Sequence, residues 1–432
     1  MNWPSQRDSL GLALALGSGL ILVMVTLGTA VPASDMPGYL GLARDGVFSV
    51  ETGTWAAGRE HVNGSWLFQR LAWWGYGLGG WPLLVAANGL FVALALALVG
   101  RLGWLRGAGL GAGVAVFVAS TLMLQNTAMR PQTLAFLLAA AVLVAPRTWQ
   151  VGALTVLWAN LHGSFVLAPA LALVRDPSPR RAAVAASAWL LNPFTFRLLG
   201  YVFQNSSQPA ARGLDEWSSP ELLTPIGVRL FFGLVVTLGV GLRRRPAPLE
   251  LALAGVLGLL ALGSVRHVAW FGLVAGPLLA GWIPAWKGSA LGEEPRFGRH
   301  ALVLMGAVCA LGLVRFAPWV AGPPTDRLSD AWLEPQAPIE VLEALDRLPP
   351  GELNATYRVA GLVRWRHPAW TVRVDHRVWL YTDDEWARYE HGRLQPEGLV
   401  LIDRRREPWL ETRTSDWLVL AEDADWSLRQ RE

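Results

Sequence analysis

Cysteine is nearly absent from this chain of 432 residues. Cys309 stands alone inside an apolar run, which excludes an intramolecular disulfide and a metal site built from cysteines. Lysine is as scarce, Lys287 being the single example, so arginine carries nearly all the positive charge. Charged residues make up only 16% of the sequence, where a soluble domain carries about a quarter. With 53% hydrophobic residues and a mean hydropathy of +0.33, the composition is that of a polytopic membrane protein. Acids are scarcest where apolar runs are densest: the first 320 residues hold 12 Asp+Glu against 22 Lys+Arg, and residues 321–432 hold 21 against 15. There is no glycine-rich phosphate loop, HxxxH spacing, Ser-His-Asp order, solenoid repeat or heptad run. The pI of 9.6 does not point to nucleic acid, because the basic excess lies in short loops between apolar runs, where it orients a chain in a bilayer.

What is present is a series of apolar segments, at 11–31, 81–99, 108–124, 133–144, 151–161, 164–174, 182–191, 222–242, 249–264, 268–283 and 301–317. A crossing takes about 20 apolar residues. The first segment, preceded by Arg7, reads as an uncleaved signal anchor with its amino end in the cytoplasm. A cleaved signal peptide ending near Val31-Pro32-Ala33 is the other reading, and the length of the run speaks against it. The basic clusters at Arg101/Arg106, Arg147, Arg175 with Arg180 and Arg181, 243–245, and Lys287 with Arg296/Arg299 are expected on the cytoplasmic side. One crossing over 151–174 would put the 175–181 cluster outside, so this stretch reads as two short segments meeting at Asn160-Leu161-His162-Gly163.

The expectation is therefore an all-α polytopic membrane domain, residues 1–320, with about eleven transmembrane helices. Its N-terminus is cytoplasmic, and the loops at 32–66, 125–132, 160–163, 192–220 and 265–267 open outside. Residues 65–77, with Arg70, Trp73 and Trp74, read as an interfacial helix. From 321 to 432 the chain turns charged and mixed, opened by Pro323-Pro324, with alternating runs at 371–375 and 398–402 beside a helix-like 338–348. This predicts a small extracytoplasmic α/β domain.

The topology sorts the polar residues of the membrane part onto its outer surface: Asp35, Asn63 and Trp66, Arg130-Pro131-Gln132, Asn160 and His162, Asn192-Pro193, Asp215-Glu216-Trp217, and Arg266-His267. Four of the twelve acids, Asp35, Asp45, Glu51 and Glu60, fall in the loop 32–66. Polar groups at membrane depth line cavities or find partners. Asp35 reads either as a solvated helix-end residue or N-cap, or as a functional carboxylate. His162 reads as a support for a helix break, a proton carrier or a metal ligand, and nothing in the spacing favours the last. Arg130, Arg266 and His267 read as snorkelling residues or as a lipid-phosphate site, for which the planar guanidinium fork is suited. Asp215 and Glu216 read as loop solvation, and Trp217 as an interface residue or a platform for a sugar face.

Several stretches occur in an order that resembles bacterial polytopic proteins of the GT-C glycosyltransferase superfamily. They are Asp35 after the first helix, Ala56-Ala57-Gly58-Arg59 leading to Val62-Asn63-Gly64-Ser65-Trp66-Leu67, Gly79-Gly80, Arg130-Pro131-Gln132, Trp158-Ala159-Asn160-Leu161-His162-Gly163, Leu191-Asn192-Pro193-Phe194, Glu216-Trp217-Ser218-Ser219-Pro220 and Arg266-His267. In the tail, Tyr357-Arg358-Val359-Ala360-Gly361 and Val374-Asp375-His376-Arg377 followed by Leu380-Tyr381 match as well. The resemblance implies transfer of a sugar from a polyprenyl-phosphate carrier to a glycan, lipid or protein acceptor on the extracytoplasmic face of the bacterial inner membrane, with inversion. By position it implies Asp35 as catalytic carboxylate, and Arg266 with His267 and Arg130 at the lipid phosphate. Asn63, Trp66, Asn160, His162, Glu216 and Trp217 would support or bind substrate. No cofactor is assigned, and a divalent metal is allowed without assigned ligands. The chain departs from the pattern at Gly64-Ser65 (histidine-glutamate in relatives), at Met36-Pro37-Gly38 (leucine-tryptophan-tryptophan) and at His376 (glycine). A non-catalytic lipid- or glycan-binding membrane component of a cell-envelope pathway is the alternative these departures leave.

Overall fold

A computed structural model describes residues 6–212, 214–283 and 330–431. The expected segment 301–317, the cluster of Lys287, Arg296 and Arg299, Cys309 and Pro323-Pro324 lie outside the described residues. The chain is mostly helical with one small sheet near its C-terminus. It divides into two compact units that interleave along the sequence rather than part once at 320/321. One is drawn from Met1–Thr29, Val85–Thr195 and Ala210–Pro323, the other from Ala30–Leu84, Phe196–Pro209 and Pro324–Glu432.

The first unit is helical. Among the described residues, three helices are long and apolar enough to cross a membrane: α1 (Gln6–Gly28), α3 (Trp66–Met123) and α9 (Pro225–Arg244). The expected count of about eleven crossings is not supported. Helices α4 (Pro131–Val144), α5 (Thr148–Leu161), α6 (Ala168–Arg175), α7 (Pro179–Ala188), α10 (Pro248–Gly263) and α11 (Val268–Trp282) have 8 to 16 residues. At 1.5 Å per residue, such helices reach at most about 24 Å of a core about 30 Å thick. Apolar composition alone does not distinguish a span from a short helix buried among its neighbours, and α11 is buried along nearly its whole length.

Helix α3 is not one rod. Its 58 residues would extend about 87 Å if straight, but Ala108 takes a φ of 53° and the chain doubles back there. A Cβ on Gly103 would lie 2.5 Å from the carbonyl oxygen of Gly111, and one on Gly100 would lie 3.0 Å from the Val116 side chain. The segments 81–99 and 108–124 are thus two arms of a helical hairpin. Small residues make the approach close: Gly11 of α1 meets the Gly109 backbone, and Gly276 of α11 meets that of Ala115. Earlier in α3, Gly80 at φ 64° next to Pro82 sets residues 66–79 apart from the arm that follows.

The ends of these helices sort the charges. Arg106 pairs with Glu250 and donates to the Val174 carbonyl at 3.1 Å, and Trp282 Nε1 donates to Glu250 at 2.7 Å. Buried Arg181 donates to the carbonyls of Ala145 (2.7 Å) and Ala172 (3.3 Å). The hairpin turn, the end of α4, the end of α6, the start of α10 and the end of α11 therefore share one end of the unit. These are the places beside Arg101, Arg147, Arg175 and 243–245, the clusters expected to lie together.

The second unit contains α2 (Asp35–Arg44), the start of α3, most of α8 (Arg197–Ala211) and the C-terminal domain. There a five-stranded sheet has the order β2-β1-β3-β5-β4. Its strands are β1 (Glu352–Asn354), β2 (Thr371–Val372), β3 (Leu399–Asp403), β4 (Leu418–Glu422) and β5 (Trp426–Gln430). The first three pair in parallel, and β5 and β4 add antiparallel. All five residues of β3 are buried, which explains its unbroken Leu-Val-Leu-Ile run. The helix-like stretch 338–348 forms the short helix α12 (Ile339–Leu342), continued by a 3-10 turn Glu343–Arg347. The alternating run 371–375 is a strand only at Thr371–Val372.

The loop 32–66 is knitted into this domain. Val31 pairs with Leu333, the Ala33 amide donates to Glu334 at 2.9 Å, and Thr54 pairs with Val372 of β2. Helix α2 packs against α13 (Tyr357–Arg366) through glycines. A Cβ on Gly361 would meet the Ser34 carbonyl and lie 3.0 Å from Gly38 Cα. Arg44 closes the far end, donating to the carbonyls of Trp365 (2.6 Å) and Arg364 (2.9 Å). Gly361→Ala is expected to destabilise the protein by about 1–3 kcal/mol through overpacking. The midpoint of denaturant unfolding would show it, and an unchanged midpoint would contradict this packing.

Candidate functional site

In the helical unit, five of the residues singled out from sequence come together. Arg130 is held extended in front of α4, whose first residue is Pro131. Ser264 ends α10 in an extended conformation, and its hydroxyl accepts from the Arg266 amide at 3.2 Å, starting the 3-10 turn Val265–His267. A second 3-10 turn, Asp215–Trp217, is tied to the first by Ser264 Oγ donating to Glu216 O (3.0 Å) and Val265 N to Ser218 O (2.9 Å). The Glu216 carboxylate then bridges two guanidinium groups. Arg266 Nη1 lies 2.8 Å from its Oε1, and Arg130 pairs with its Oε2. The Arg266 guanidinium lies 5.2 Å from the Trp217 ring centroid, and His267 meets the same ring edge-on at 5.9 Å. All three charged side chains are partly exposed. The two guanidinium groups and the carboxylate thus meet at a partly desolvated position beside an indole ring, and planar guanidinium donors are of the kind that suits phosphate oxygens.

This cluster sits at the end of α4, α10 and α11 opposite to Arg106, Arg181 and Glu250. His162 and Asn160 build the helix break expected for them. His162 is extended between α5 and a 3-10 turn Gly163–Leu167, and its Nδ1 accepts from Ser164 N at 3.1 Å. Asn160 Nδ2 donates to the carbonyls of Val156 (2.8 Å) and Leu191 (3.0 Å). Their side chains hold backbone. Among the described residues, no group of three or more His, Cys, Asp or Glu is placed to hold a metal ion, so no step is assigned to one.

In the other unit, Asp35 is the first residue of α2, half-buried. Positions 35, 38 and 39 share a helix face, and His376 packs there. A Cβ on Gly38 would lie 2.5 Å from His376 Cε1, and the Tyr39 ring meets the imidazole edge-on at 5.1 Å. Both ring nitrogens of His376 are shielded from solvent and make no hydrogen bond. Burial pushes the imidazole below its usual range, and the charges of Asp375 and Asp35 act against that. Gly38 and His376, two positions at which the chain departs from the proteins it resembles, thus touch: the ring occupies the space that a side chain at 38 would need.

A deeply buried polar network lies outside the residues given a role from the sequence, although Glu51, Asp375, Arg377 and Tyr381 all stand in stretches quoted there. Glu51, Arg364, Asp375 and Arg377 form a network with side-chain exposures of 5% or less. Arg364 Nη1 lies 2.8 Å from Glu51 and 3.0 Å from Asp375, and Arg377 Nη2 lies 2.6 Å from each. Tyr381 OH donates to Asp375 Oδ1 at 3.2 Å and accepts from the Asp375 amide at 3.0 Å. Burial works to raise the Asp375 pKa, yet Arg377, His376 and Arg364 overcome it and hold the carboxyl well below its ordinary range. Burial, with Asp375, raises Tyr381. His61 is buried beside this network with both ring nitrogens unbonded. Desolvation, with Arg377 adding to it, brings it down to about 4. The signals in the sequence are the acid Glu51 in the loop 32–66 and the Asp375-His376-Arg377 triplet with Tyr381 four residues on; Arg364 carries none.

Several other stretches quoted from the sequence make packing and hydrogen-bond contacts. Asn63 and Gln69 exchange side-chain hydrogen bonds (2.7 and 3.0 Å) at the start of α3, and Trp66 meets Phe48 edge-on at 5.7 Å. A Cβ on Gly64 would collide with Tyr201. Arg59 grips Glu385 with two nitrogens, at 2.6 and 2.9 Å. Comparison with protein-family models and with curated proteins found no match.

Proposed function

We propose that this chain is a membrane glycosyltransferase that moves a sugar from a polyprenyl-phosphate carrier to an acceptor on the extracytoplasmic face, with inversion. The reading includes a bacterial inner-membrane location, a cytoplasmic N-terminus and an extracytoplasmic C-terminal domain. The observation that carries it is the Arg130–Glu216–Arg266 cluster, which gathers two guanidinium groups of the kind that recognises phosphate oxygens. Trp217 and His267 wall it with flat surfaces, and three helices have the length and apolarity of membrane spans. In the reaction, an acceptor hydroxyl gives its proton to a general base, a role that the resemblance alone gives to Asp35, as its oxygen attacks the anomeric carbon. The bond from that carbon to the phosphate oxygen breaks, and the departing phosphate keeps the electron pair, stabilised by Arg130 and Arg266.

Purified protein in lipid nanodiscs, given radiolabelled polyprenyl-phosphate hexoses and envelope glycan, is expected to transfer label. Arg266→Ala and Asp35→Asn are each expected to lower the rate about 10²–10³-fold, and Arg130→Ala with Arg266→Ala to weaken polyprenyl-phosphate binding in native mass spectrometry. Wild-type rates in both single variants would overturn the assignment. The second reading, a non-catalytic lipid- or glycan-binding component, is favoured by the His376 and Gly38 departures beside Asp35. It predicts phosphate binding that depends on the arginines, without transfer by the wild type.

A further inference from the structure

The parallel part of the C-terminal sheet has the order β2-β1-β3, so the chain leaves β1 toward β2 and later returns past β1 to reach β3. The carboxyl ends of β1 and β3 therefore flank a point where strand order reverses. In open α/β sheets a crevice forms there because the connections diverge, and ligands bind in it. An open cleft of about 460 Å³ lies at this point, within the range of small-molecule sites. It is lined by Thr356, Tyr357 and Arg358, which follow β1, by Asp403, which ends β3, and by Arg406 and Trp409, which follow β3.

The floor is preorganised. Buried Arg393, from α14 (Asp383–Leu394), donates to the last carbonyl of β1, Asn354 O, at 2.8 Å and to Leu401 O of β3 at 3.2 Å. The same guanidinium holds Glu407 with Nε at 3.0 Å. Asp403 Oδ1 accepts from the amides of Arg405 (3.1 Å) and Arg406 (3.0 Å), which shapes the loop after β3.

The lining decides the ligand class. Arg358, Arg393 and Arg406 are balanced by Glu390, Asp403 and Glu407, so the cleft has no net charge to attract an ion. A nucleotide phosphate is disfavoured further. The turn Ala355-Thr356 between β1 and α13 has no glycine, and the Tyr357 amide already donates to Tyr389 OH at 3.2 Å. What the cleft offers is the exposed indole of Trp409, together with the Tyr357 ring that carries the Arg358 guanidinium 5.3 Å from its centroid, beside planar, paired donors and acceptors. A molecule with apolar faces and a rim of hydroxyl groups complements both. We propose that this cleft binds a neutral sugar unit of a glycan, with Trp409 as its platform and Arg358 and Asp403 at its hydroxyl groups. This goes beyond the transfer chemistry and does not depend on Asp35 or the phosphate cluster.

The full-length protein in detergent would be titrated calorimetrically with neutral hexasaccharides of glucose, mannose and N-acetylglucosamine, and with a hexauronate and ATP as charged probes. Saturable binding of at least one neutral hexasaccharide is expected. It should weaken about tenfold or more in Trp409→Ala, while Trp409→Phe restores most of it and the melting temperature of each variant stays near wild type. Absence of binding by every neutral sugar, binding by the charged probes alone, or equal affinity in Trp409→Ala would overturn the proposal. If Trp409→Ala does not fold, Arg358→Ala on the cleft's rim takes its place with the same expected loss. Because the readout is binding, failure of the transfer reaction leaves this result standing.

Discussion

Replacing Glu51 by glutamine is expected to cost the folded protein about 3–5 kcal/mol. The two carboxylates and two guanidinium groups of Glu51, Arg364, Asp375 and Arg377 cancel, and all are inaccessible to solvent or nearly so. The neutral amide keeps the shape but leaves two buried cations facing one carboxylate. Water cannot reach them, and Arg377 Nη1 already has no partner. Arg377→Gln should cost a similar amount by leaving an unmatched anion. The double variant should be less damaging than the sum of the two, since it removes one charge of each sign. Equilibrium unfolding in denaturant gives all three values. Additive losses, or a loss under about 1 kcal/mol for Glu51→Gln, would mean that the network is solvated and not the buried unit described.

Acid is expected to destabilise the same unit well above the range in which carboxylates protonate. His61 is held neutral in the folded chain, pushed from 6.5 to about 4 chiefly by burial, with Arg377 adding to the effect and Glu51 and Asp375 opposing it. Between those two values the unfolded chain binds more protons than the folded one. Stability is thus complete above pH 6.5, falls as pH falls, and stops falling on this account near pH 4. The loss across that window is about 3 kcal/mol. Asp375, depressed far below its ordinary range, contributes only at lower pH, where its protonation in the unfolded chain begins. His61→Phe removes the titrating ring without forfeiting a hydrogen bond, because the imidazole makes none from its nitrogens. Its unfolding midpoint should change much less between pH 7 and 4. The same slope in wild type and variant would show that His61 is solvated.

Several features are legible in the sequence itself. The break at Asn160-Leu161-His162-Gly163 is visible because arginine clusters forbid a single crossing, and the chain does leave the helix at His162. Arg266 and His267 stand out as charge between two apolar runs, and they form the turn between α10 and α11. The α/β character of the tail follows from alternating and unbroken apolar runs, of which 398–402 contains most of the buried strand β3. Other features are hidden. Helices of 14 or 15 apolar residues read like spans, because hydropathy records what a residue avoids and not whether lipid or protein covers it. The four acids of the loop 32–66 look alike in sequence, yet Glu51 is fully buried while Glu60 is exposed beside Arg197 at 3.8 Å.

By itself the sequence determined which segments must leave water, where helices must break, and which charges must be drawn to one end of the apolar helices. Those follow from local composition, since the cost of burying a charge or an unpaired backbone group arises wherever the residue lies. Only the tertiary structure decided that Glu216 joins two arginines 86 and 50 residues away, that Glu51 is neutralised by Arg364 and Arg377, and that β1 and β3 part around a cleft. A charge's partner depends on which distant segments share its surroundings. That choice rests on packing over the whole chain, with close approaches such as Gly38 on His376 that no local pattern encodes.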